Sequence, residues 1–430
     1  MLVLLDGLGD RPQPELGGRT SLEAARTPVL DGLAAAGACG LHVPFGPGRA
    51  PASEVAHWAI FGYQGRPFPG RAVLEALGHG LEVGDDDPRL YAALRPAESR
   101  DGRTWITGRA GPADEADARE LLAELGTVFP GGRFELAWVR LGEAILRLRG
   151  AGPEAAAISD SDPFFEDVQP WLRPLALEGS GAPAARAAAE LERFLLLARA
   201  RLAAHAINMR RAREGRPVLD TLTTKWAGAR LPLPTFRRRV GIDGALVTSS
   251  ALYRGFARLL EMRSIDVGTG PDPGTDLARR LEAAASLLDG GAAFVHVHTK
   301  LVDEAGHSRR VGAKTEVLEA LDPALAVLSQ PPFDRAVVAV TGDHATPSAG
   351  GVLHTDDPTP LLVRGGAARP DAVSEFGEST CAARSIGTIA AVDLLSLLLG
   401  HANRARFMGA RATAEDTLAL PDDPEPLLPA

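Results

Sequence analysis

Acidic, histidine and lysine side chains recur beside the predicted strands of this 430-residue sequence. They are Asp6 after LVLLDG, Lys300, Asp303 and His307 after FVHVHT, Asp343 and His344 after AVVAVTG, and His354 shortly before PLLVRG. Carboxylate oxygens and imidazole nitrogens are ligands of divalent metals. Together with a serine, these three aspartates and three histidines supply ligands for two ions. Two ions about 3.5–4 Å apart can hold both oxygens of an in-line phosphoryl displacement.

The stretch PASEVAHW, residues 51–58, contains the candidate nucleophile Ser53. The G-x-S-x-G turn of serine hydrolases is absent. A hydroxyl bound to a divalent ion loses its proton far more readily, so a metal would activate Ser53 without a histidine base. Taken alone, Ser53 and Glu54 also fit the start of a helix, with Ser53 as its cap. Asp or Asp/His after three separate strands favours the catalytic interpretation.

Short apolar runs bounded by turn residues predict buried strands that position these side chains. The runs cover 2–7, 244–250, 292–299, 336–343 and 360–365, and helical patterns cover 275–289, 315–328 and 386–399. This alternation predicts an α/β core, with a mostly parallel sheet flanked by helices. Ligands bind beyond the carboxyl ends of such strands. His296 and His298 alternate within one run and are predicted to be packed or hydrogen-bonded core residues.

A region rich in Ala, Arg and Glu interrupts this pattern. It contains a long amphipathic helix pattern over 184–215 and a pair of strand patterns, which predict a smaller inserted α+β domain. The expected division is a metal-binding core of 1–87 and 216–412, an inserted substrate-binding lid of 88–215, and a loose tail of 413–430. The insert would close over the metal face and exclude water.

Composition excludes several classes of protein. The net charge of −9 argues against nucleic acid or an anionic membrane as the main partner, because both attract basic surfaces. Cys39 and Cys381 have no metal-binding or redox spacing, which fits a reducing compartment. The first residues lack the features of a signal peptide, and the apolar run ending at Gly400 is too short to span a bilayer. A cytoplasmic enzyme acting on a small molecule is expected, with its oligomeric state left open.

Motifs in the order and spacing of a known family cover most of the chain. They are DGLGDRP (6–12), SLEAARTPVLDGLAAAGACG (21–40), SEVAHWAIFGY (53–63), SDSDP (159–163), KLVDEAGH (300–307), TGDHATP (341–347) and HTDDPTP (354–360). The sequence resembles the archaeal-type cofactor-independent phosphoglycerate mutases of the alkaline phosphatase superfamily. That resemblance implies that Ser53 becomes phosphoserine. It also implies one ion held by Asp6, Ser53, Asp343 and His344, and a second held by Asp303, His307 and His354.

The sequence departs from the family pattern around the substrate. RLYAALRP stands where the family has Arg-x-Asn, GRAGP where it has Arg-Arg-Ala-Gly-Arg, and Phe164 where it has a histidine. Lys225 and Trp226 replace an Arg-Gly pair. The expected substrate-binding residues are Arg109 and Lys225 for anionic groups and Asp160 and Asp162 for hydroxyls. Lys300 would neutralise charge on the transferred phosphoryl group.

The resemblance implies a metal-dependent isomerase that interconverts 3-phosphoglycerate and 2-phosphoglycerate without 2,3-bisphosphoglycerate. The altered basic residues keep open a phosphatase or phosphotransferase acting on another small organophosphate. A structural metal protein is the third alternative, but a structural zinc site would be closed by four protein ligands. Mixed oxygen and nitrogen ligands favour two Mn²⁺ ions, with Mg²⁺, Zn²⁺ and Co²⁺ as alternatives.

Overall fold

The computed structural model describes residues 1–125, 132–162, 168–405 and 426–428. Within the chain two compact units are distinct: Met1–Phe68 with Pro234–Ala430, here unit 1, and Pro69–Leu233, here unit 2. Unit 2 is longer at both ends than the predicted insert of 88–215. Phe164 and, except for 426–428, the predicted tail 413–430 lie outside the described residues.

Strands and helices alternate through most of unit 1. In chain order the strands are β1 (Leu2–Leu5), β2 (Ala38–Val43), β3 (Arg89–Arg95), β4 (Ala97–Arg100), β5 (Arg103–Ile106), β6 (Phe134–Arg140), β7 (Glu143–Leu148), β8 (Gln169–Pro170), β9 (Thr221–Gly228), β10 (Gly244–Thr248), β11 (Arg263–Asp266), β12 (Phe294–Thr299), β13 (Val338–Thr341), β14 (Thr359–Arg364) and β15 (Gly387–Ala390). The α-helices are α1 (Ser21–Ala24), α2 (Pro28–Ala35), α3 (Ser53–Ile60), α4 (Arg71–Gly78), α5 (Glu115–Leu125), α6 (Ala182–Ala203), α7 (Ala206–Arg213), α8 (Phe236–Val240), α9 (Ala251–Leu259), α10 (Pro273–Asp289), α11 (Leu301–His307), α12 (Ala313–Leu321), α13 (Glu378–Cys381) and α14 (Ala391–His401). Short 3₁₀ helices cover Pro14–Leu16, Pro112–Asp114, Pro153–Ala156, Asp322–Ser329 and Phe333–Arg335.

The main sheet of unit 1 has the strand order β11-β10-β12-β1-β13-β14-β2-β15. β1 pairs in parallel with both β12 and β13, and only β14 runs antiparallel to its neighbours among these described strands. Buried aliphatic side chains of β1, β10, β12 and β13 pack with helices such as α2 and α10 in one core. The predicted α/β core with a mostly parallel sheet is confirmed.

Two helix predictions are wrong in part. The pattern over 386–399 predicted one helix, but its first residues form β15, which pairs in parallel with β2. Sheet pairing outweighs helical periodicity there, and α14 begins only at Ala391. The pattern over 184–215 divides into α6 and α7, because His205 caps α7 by accepting a hydrogen bond from the backbone N–H of Ile207.

Unit 2 contains antiparallel sheets. One has the order β6-β7-β3-β9 and the other the order β4-β5-β8. Helices α5 and α6 pack their apolar faces on β3 and β7 to form a second hydrophobic core. This unit has the α+β architecture expected of the insert. No helix in the described part of the chain combines the length and hydropathy of a membrane span.

Candidate metal centre

Three adjacent parallel strands deliver most of the predicted ligands to one edge of the unit 1 sheet. β12, β1 and β13 lie side by side, with Leu5 in register with Thr299 and Leu4 in register with Thr341. Asp6 follows β1, Lys300 and the helix α11 follow β12, and Asp343 and His344 follow β13. The carboxyl ends of parallel strands share one edge, so residues more than 300 positions apart meet there.

Ser53 lies at the first residue of α3, which places it at the positive end of that helix. Its Oγ is 3.0 Å from His344 Nε2, and the side chain is buried. The N-cap is Ala52, and no side chain caps the helix. The alternative in which Ser53 serves as a helix cap is therefore wrong. Its carbonyl instead accepts a hydrogen bond from His57 Nδ1 at 2.8 Å.

The buried Asp6 has one oxygen held by protein groups and one oriented toward the site. His298 Nε2 lies 2.9 Å from Asp6 Oδ2, and the Tyr253 hydroxyl donates to the same atom at 3.3 Å. Oδ1 has no hydrogen-bond partner among the described residues and lies 3.3 Å from His344 Nε2. Burial alone would raise the pKa of Asp6, but the charge of Lys300 and hydrogen bonds from His298 and His344 hold it well below its usual value.

Asp343 shows the same division between its two oxygens. Oδ1 accepts a hydrogen bond from the backbone N–H of Gly7 at 3.0 Å. Oδ2 is buried without a hydrogen-bond partner in the described chain, and it lies 3.4 Å from His344 Nε2 and 3.5 Å from His57 Nδ1. Burial, followed by the negative charge of Asp6, raises the pKa of Asp343 well above its usual value.

The second predicted ligand set, which the resemblance implied, also comes together. His307 Nε2 lies 3.1 Å from Asp303 Oδ1 and 3.2 Å from His354 Nε2. His354 Nδ1 donates to the carbonyl of Pro51 at 2.9 Å, which leaves Nε2 for another partner. Lys300 Nζ lies 3.0 Å from Asp303 Oδ2. Burial would raise the pKa of Asp303, but hydrogen bonds from His307 and His354 and the charge of Lys300 lower it strongly.

These residues fit divalent metal ions. Two groups of side chains could each place three ligand atoms within 4.8 Å of one another: Asp6, Asp343 and His344, and also Asp303, His344 and His354. Buried carboxylate oxygens without a hydrogen bond are costly in a protein interior. Asp6 Oδ1 and Asp343 Oδ2 are two such atoms, beside a histidine nitrogen and a hydroxyl, and a cation would satisfy them.

The predicted substrate-binding residues all lie in unit 2. Asp160 Oδ1 accepts the backbone N–H of Trp226 at 2.8 Å. Lys225 Nζ lies 4.3 Å from the centre of the Trp226 ring. Burial lowers the pKa of Lys225 to about 8; Asp162 opposes this shift, while three nearby arginines, Arg95, Arg71 and Arg109, add to it.

Two of those arginines, Arg95 and Arg71, were missed by sequence reasoning. Arg95 Nη2 is 2.7 Å from Asp162 Oδ2, and both side chains are almost fully buried. The Thr223 hydroxyl donates to the same oxygen at 3.1 Å, and the Gln169 amide donates to Oδ1. This arrangement favours a role for Asp162 in holding Arg95. An arginine inside the buried strand RLYAALR was the available signal, because unpaired arginines are rarely buried.

His298, Tyr253 and His57 were also not predicted to contribute to the site. The expectation that His296 and His298 are buried core residues is confirmed. However, His298 also orients Asp6, as described above. Its position on β12 two residues before Lys300 was a usable signal, since side chains alternate along a strand. The sequence gave no comparable signal for Tyr253, which comes from α9.

Comparison with known proteins identifies the family. A model described as the metalloenzyme superfamily matches residues 1–401. The 2,3-bisphosphoglycerate-independent phosphoglycerate mutase 2 of Methanocaldococcus jannaschii is 32% identical over 99% of this chain and 98% of its own length. The chain belongs to this mutase family. The mutase of Methanopyrus kandleri is 35% identical over 95% of this chain and 98% of its own length.

Solved structures agree with this family assignment. A protein from Pyrococcus horikoshii matches with a TM-score of 0.78 and 29% identity, over 95% of this chain and 98% of its own. The cofactor-independent phosphoglycerate mutase from Thermoplasma acidophilum matches with a TM-score of 0.60 and 28% identity, over 93% and 99%. Membership of this mutase family and the two ligand groups together indicate that the chain uses divalent metal.

Proposed function

We propose that this protein is a metal-dependent phosphomutase that interconverts 3-phosphoglycerate and 2-phosphoglycerate through a phosphoserine at position 53, independently of 2,3-bisphosphoglycerate. One observation carries the proposal. The Ser53 hydroxyl lies 3.0 Å from His344 Nε2, and that nitrogen lies within 3.4 Å of the unsatisfied oxygens of both Asp6 and Asp343. A hydroxyl among potential metal ligands suits phosphoryl transfer better than a closed structural site.

Two ions are proposed, each held by its own set of residues. The first set is Asp6, Ser53, Asp343 and His344, and the second is Asp303, His307 and His354. Mn²⁺ is the favoured ion because the ligands mix carboxylate, hydroxyl and imidazole, with Mg²⁺, Zn²⁺ and Co²⁺ as alternatives. Bound divalent ions would lower the pKa of the serine hydroxyl and neutralise phosphoryl oxygens.

Ser53 and Lys300 have separate roles in the proposed reaction. Ser53 Oγ forms a bond to phosphorus while the bond from phosphorus to one glycerate hydroxyl breaks, and that glycerate oxygen takes up a proton. After the glycerate reorients, its other hydroxyl receives the phosphoryl group and gives up a proton, so that none is gained or lost overall. Lys300 Nζ lies 3.5 Å from Asp6 Oδ2 and 3.0 Å from Asp303 Oδ2, where it can balance charge on the phosphoryl oxygens.

The residues of unit 2 are proposed to recognise the substrate. Arg109 and Lys225 would bind its anionic groups, supported by the cluster of cations around Lys225. Asp160 is proposed to bind a glycerate hydroxyl. For Asp162, the ion pair with Arg95 supports an indirect role, in which it fixes the guanidinium group. The lid function of this region and the cytoplasmic location stay predictions.

A phosphatase or phosphotransferase acting on another small organophosphate is the second candidate. The observation that favours it is the substitution of family arginine and asparagine positions by the apolar β3 sequence and by GRAGP. In this reaction Ser53 would take the phosphoryl group in the same way, and water or another acceptor would remove it. The two candidates therefore differ in the acceptor and not in the nucleophile.

A product assay distinguishes these functions. Purified protein loaded with Mn²⁺ is incubated with 3-phosphoglycerate, and the products are followed by ³¹P NMR. We expect 2-phosphoglycerate without release of phosphate, no reaction after exhaustive chelation, and phosphoserine at position 53 in trapped peptides. Release of inorganic phosphate alone would replace the mutase proposal with the phosphatase alternative.

The variant Ser53→Ala tests the nucleophile. We expect it to fold and bind Mn²⁺ but to lose transfer, since only a covalent step lets the phosphoryl group wait on the enzyme. Ser286→Ala is a matched control, because its hydroxyl donates to the Glu282 carbonyl within α10. Phosphate found reproducibly on a residue other than Ser53 would refute the assignment.

A further inference from the structure

Thr346 lies between the two proposed ligand sets. Its Oγ1 donates to Asp303 Oδ1 at 2.7 Å and lies 3.2 Å from His344 Nδ1. Asp303 belongs to the second set and His344 to the first. Thr346 is fully buried, and neither the sequence analysis nor the proposed reaction gives it a role. One hydroxyl group therefore connects a ligand of each ion.

The hydrogen-bond directions in this chain follow from the groups involved. An ionised carboxylate only accepts hydrogen bonds, so the single proton of the Thr346 hydroxyl goes to Asp303. The lone pairs of Oγ1 then face His344 Nδ1, which must donate. A neutral imidazole with a proton on Nδ1 has its lone pair on Nε2. That is the nitrogen beside Ser53 Oγ, at 3.0 Å.

The backbone around Thr346 is fixed from both sides. Its N–H donates to the Gly9 carbonyl at 3.0 Å, and the buried ammonium group of Lys314 donates to the carbonyl oxygens of Thr346 and Gly9 at 3.1 and 2.7 Å. The side chain packs closely against two glycines. A Cβ on Gly7 would lie 2.5 Å from Thr346 Oγ1, and one on Gly306 would lie 2.8 Å from its Cγ2. The hydroxyl is thus held in one position.

We propose that Thr346 is a positioning residue that fixes His344 as the Nδ1-protonated tautomer and joins the two metal-ligand sets through one hydroxyl group. Such partners of ligating histidines set the ring orientation and raise the basicity of the ligand, and their loss typically lowers metal affinity or activity about 10–100-fold. This inference rests on the proposed metal site.

The test compares Thr346→Ser with Thr346→Ala in the full chain. Both variants lose the same methyl group, and they differ only in the hydroxyl group. We expect Thr346→Ala to bind Mn²⁺ about 10–100-fold more weakly than wild type and Thr346→Ser to remain within about threefold. Affinity is measured by EPR of free Mn²⁺. A Thr355→Ser and Thr355→Ala pair is the control, because the Thr355 hydroxyl is buried without a hydrogen-bond partner among the described residues.

A second measurement reads the tautomer directly. In metal-free protein with ¹⁵N-labelled histidine, the signals of His344 are identified by their loss in His344→Gln. We expect a protonated Nδ1 in wild type and Thr346→Ser, and a mixture of tautomers in Thr346→Ala. Loss of packing alone would affect the Ser and Ala variants alike.

The outcomes separate this inference from the proposed function. If wild type binds Mn²⁺ and the Ser and Ala variants at position 346 have the same affinity, the role of Thr346 is refuted while the metal site stands. An Nε2-protonated His344 in metal-free wild type also refutes it. If wild type binds no Mn²⁺, both the metal site and the inference are refuted.

Discussion

Asp343→Asn should stabilise the metal-free protein while it destroys the metal site. Asp343 Oδ2 is buried without a hydrogen-bond partner in the described chain, whereas Oδ1 accepts the Gly7 N–H. An asparagine has the same shape and retains the bond to Gly7. Its amide nitrogen, in the place of Oδ2, could donate to His344 Nε2, which is 3.4 Å away. Removing an unsatisfied buried acceptor should stabilise the folded state by about 1–3 kcal/mol.

Metal should reverse that order of stability. At a Mn²⁺ concentration 100-fold above its Kd, a protein that binds only when folded gains about 2.7 kcal/mol. Wild type should gain this amount, and Asp343→Asn, lacking a charged ligand, should gain much less. Asp343→Asn is therefore expected to be the more stable protein in chelator and the less stable one in Mn²⁺.

Urea unfolding in chelator and in Mn²⁺ measures both effects. Because the chain has two units, the free energy is taken from the transition that responds to Mn²⁺. Asp322→Asn is the matched control: both oxygens of this buried carboxylate accept backbone N–H groups, from Val29 and Leu30. It should lose about 1 kcal/mol under both conditions. An Asp343→Asn protein that is no more stable than wild type in chelator would contradict the reasoning.

Two further predictions concern the cationic side chains. Lys300→Ala should lower kcat and kcat/KM together by about 100-fold with Mn²⁺ binding retained, since its charge acts mainly in the transition state, and unchanged steady-state kinetics would remove it from the site. Burial lowers the pKa of Lys225 to about 8, so this side chain loses its charge as the pH rises through that value, and KM for an anionic substrate should rise. Lys225→Arg, which stays protonated, should flatten the pH profile of KM between pH 7 and about 9.5, and an identical profile in both proteins would exclude Lys225 from anion binding.

The sequence was sufficient to predict the ligands because they follow the strands closely. Asp6 and Asp343 lie one and two residues beyond β1 and β13, where local pattern and the rule for parallel sheets apply together. The boundaries of unit 2 were harder to place. β9 pairs with β3 although Thr223 and Ala93 are 130 residues apart, and no composition change marks that pairing. The predicted insert began where the composition changes, and α4 precedes that point.

The groups that hold the ligands could not be predicted in the same way, and the reason is physical. A ligand must lie at the strand end, but a group that hydrogen-bonds to its second oxygen can come from any element packed nearby. Asp6 is held by Tyr253 and His298, which are 247 and 292 residues away. Both partners occupy Oδ2 and thereby leave Oδ1 for a cation. A relative could keep all seven proposed ligands and still bind metal weakly if it lacked these partners, so the ligand motif alone is an incomplete test for activity in such chains.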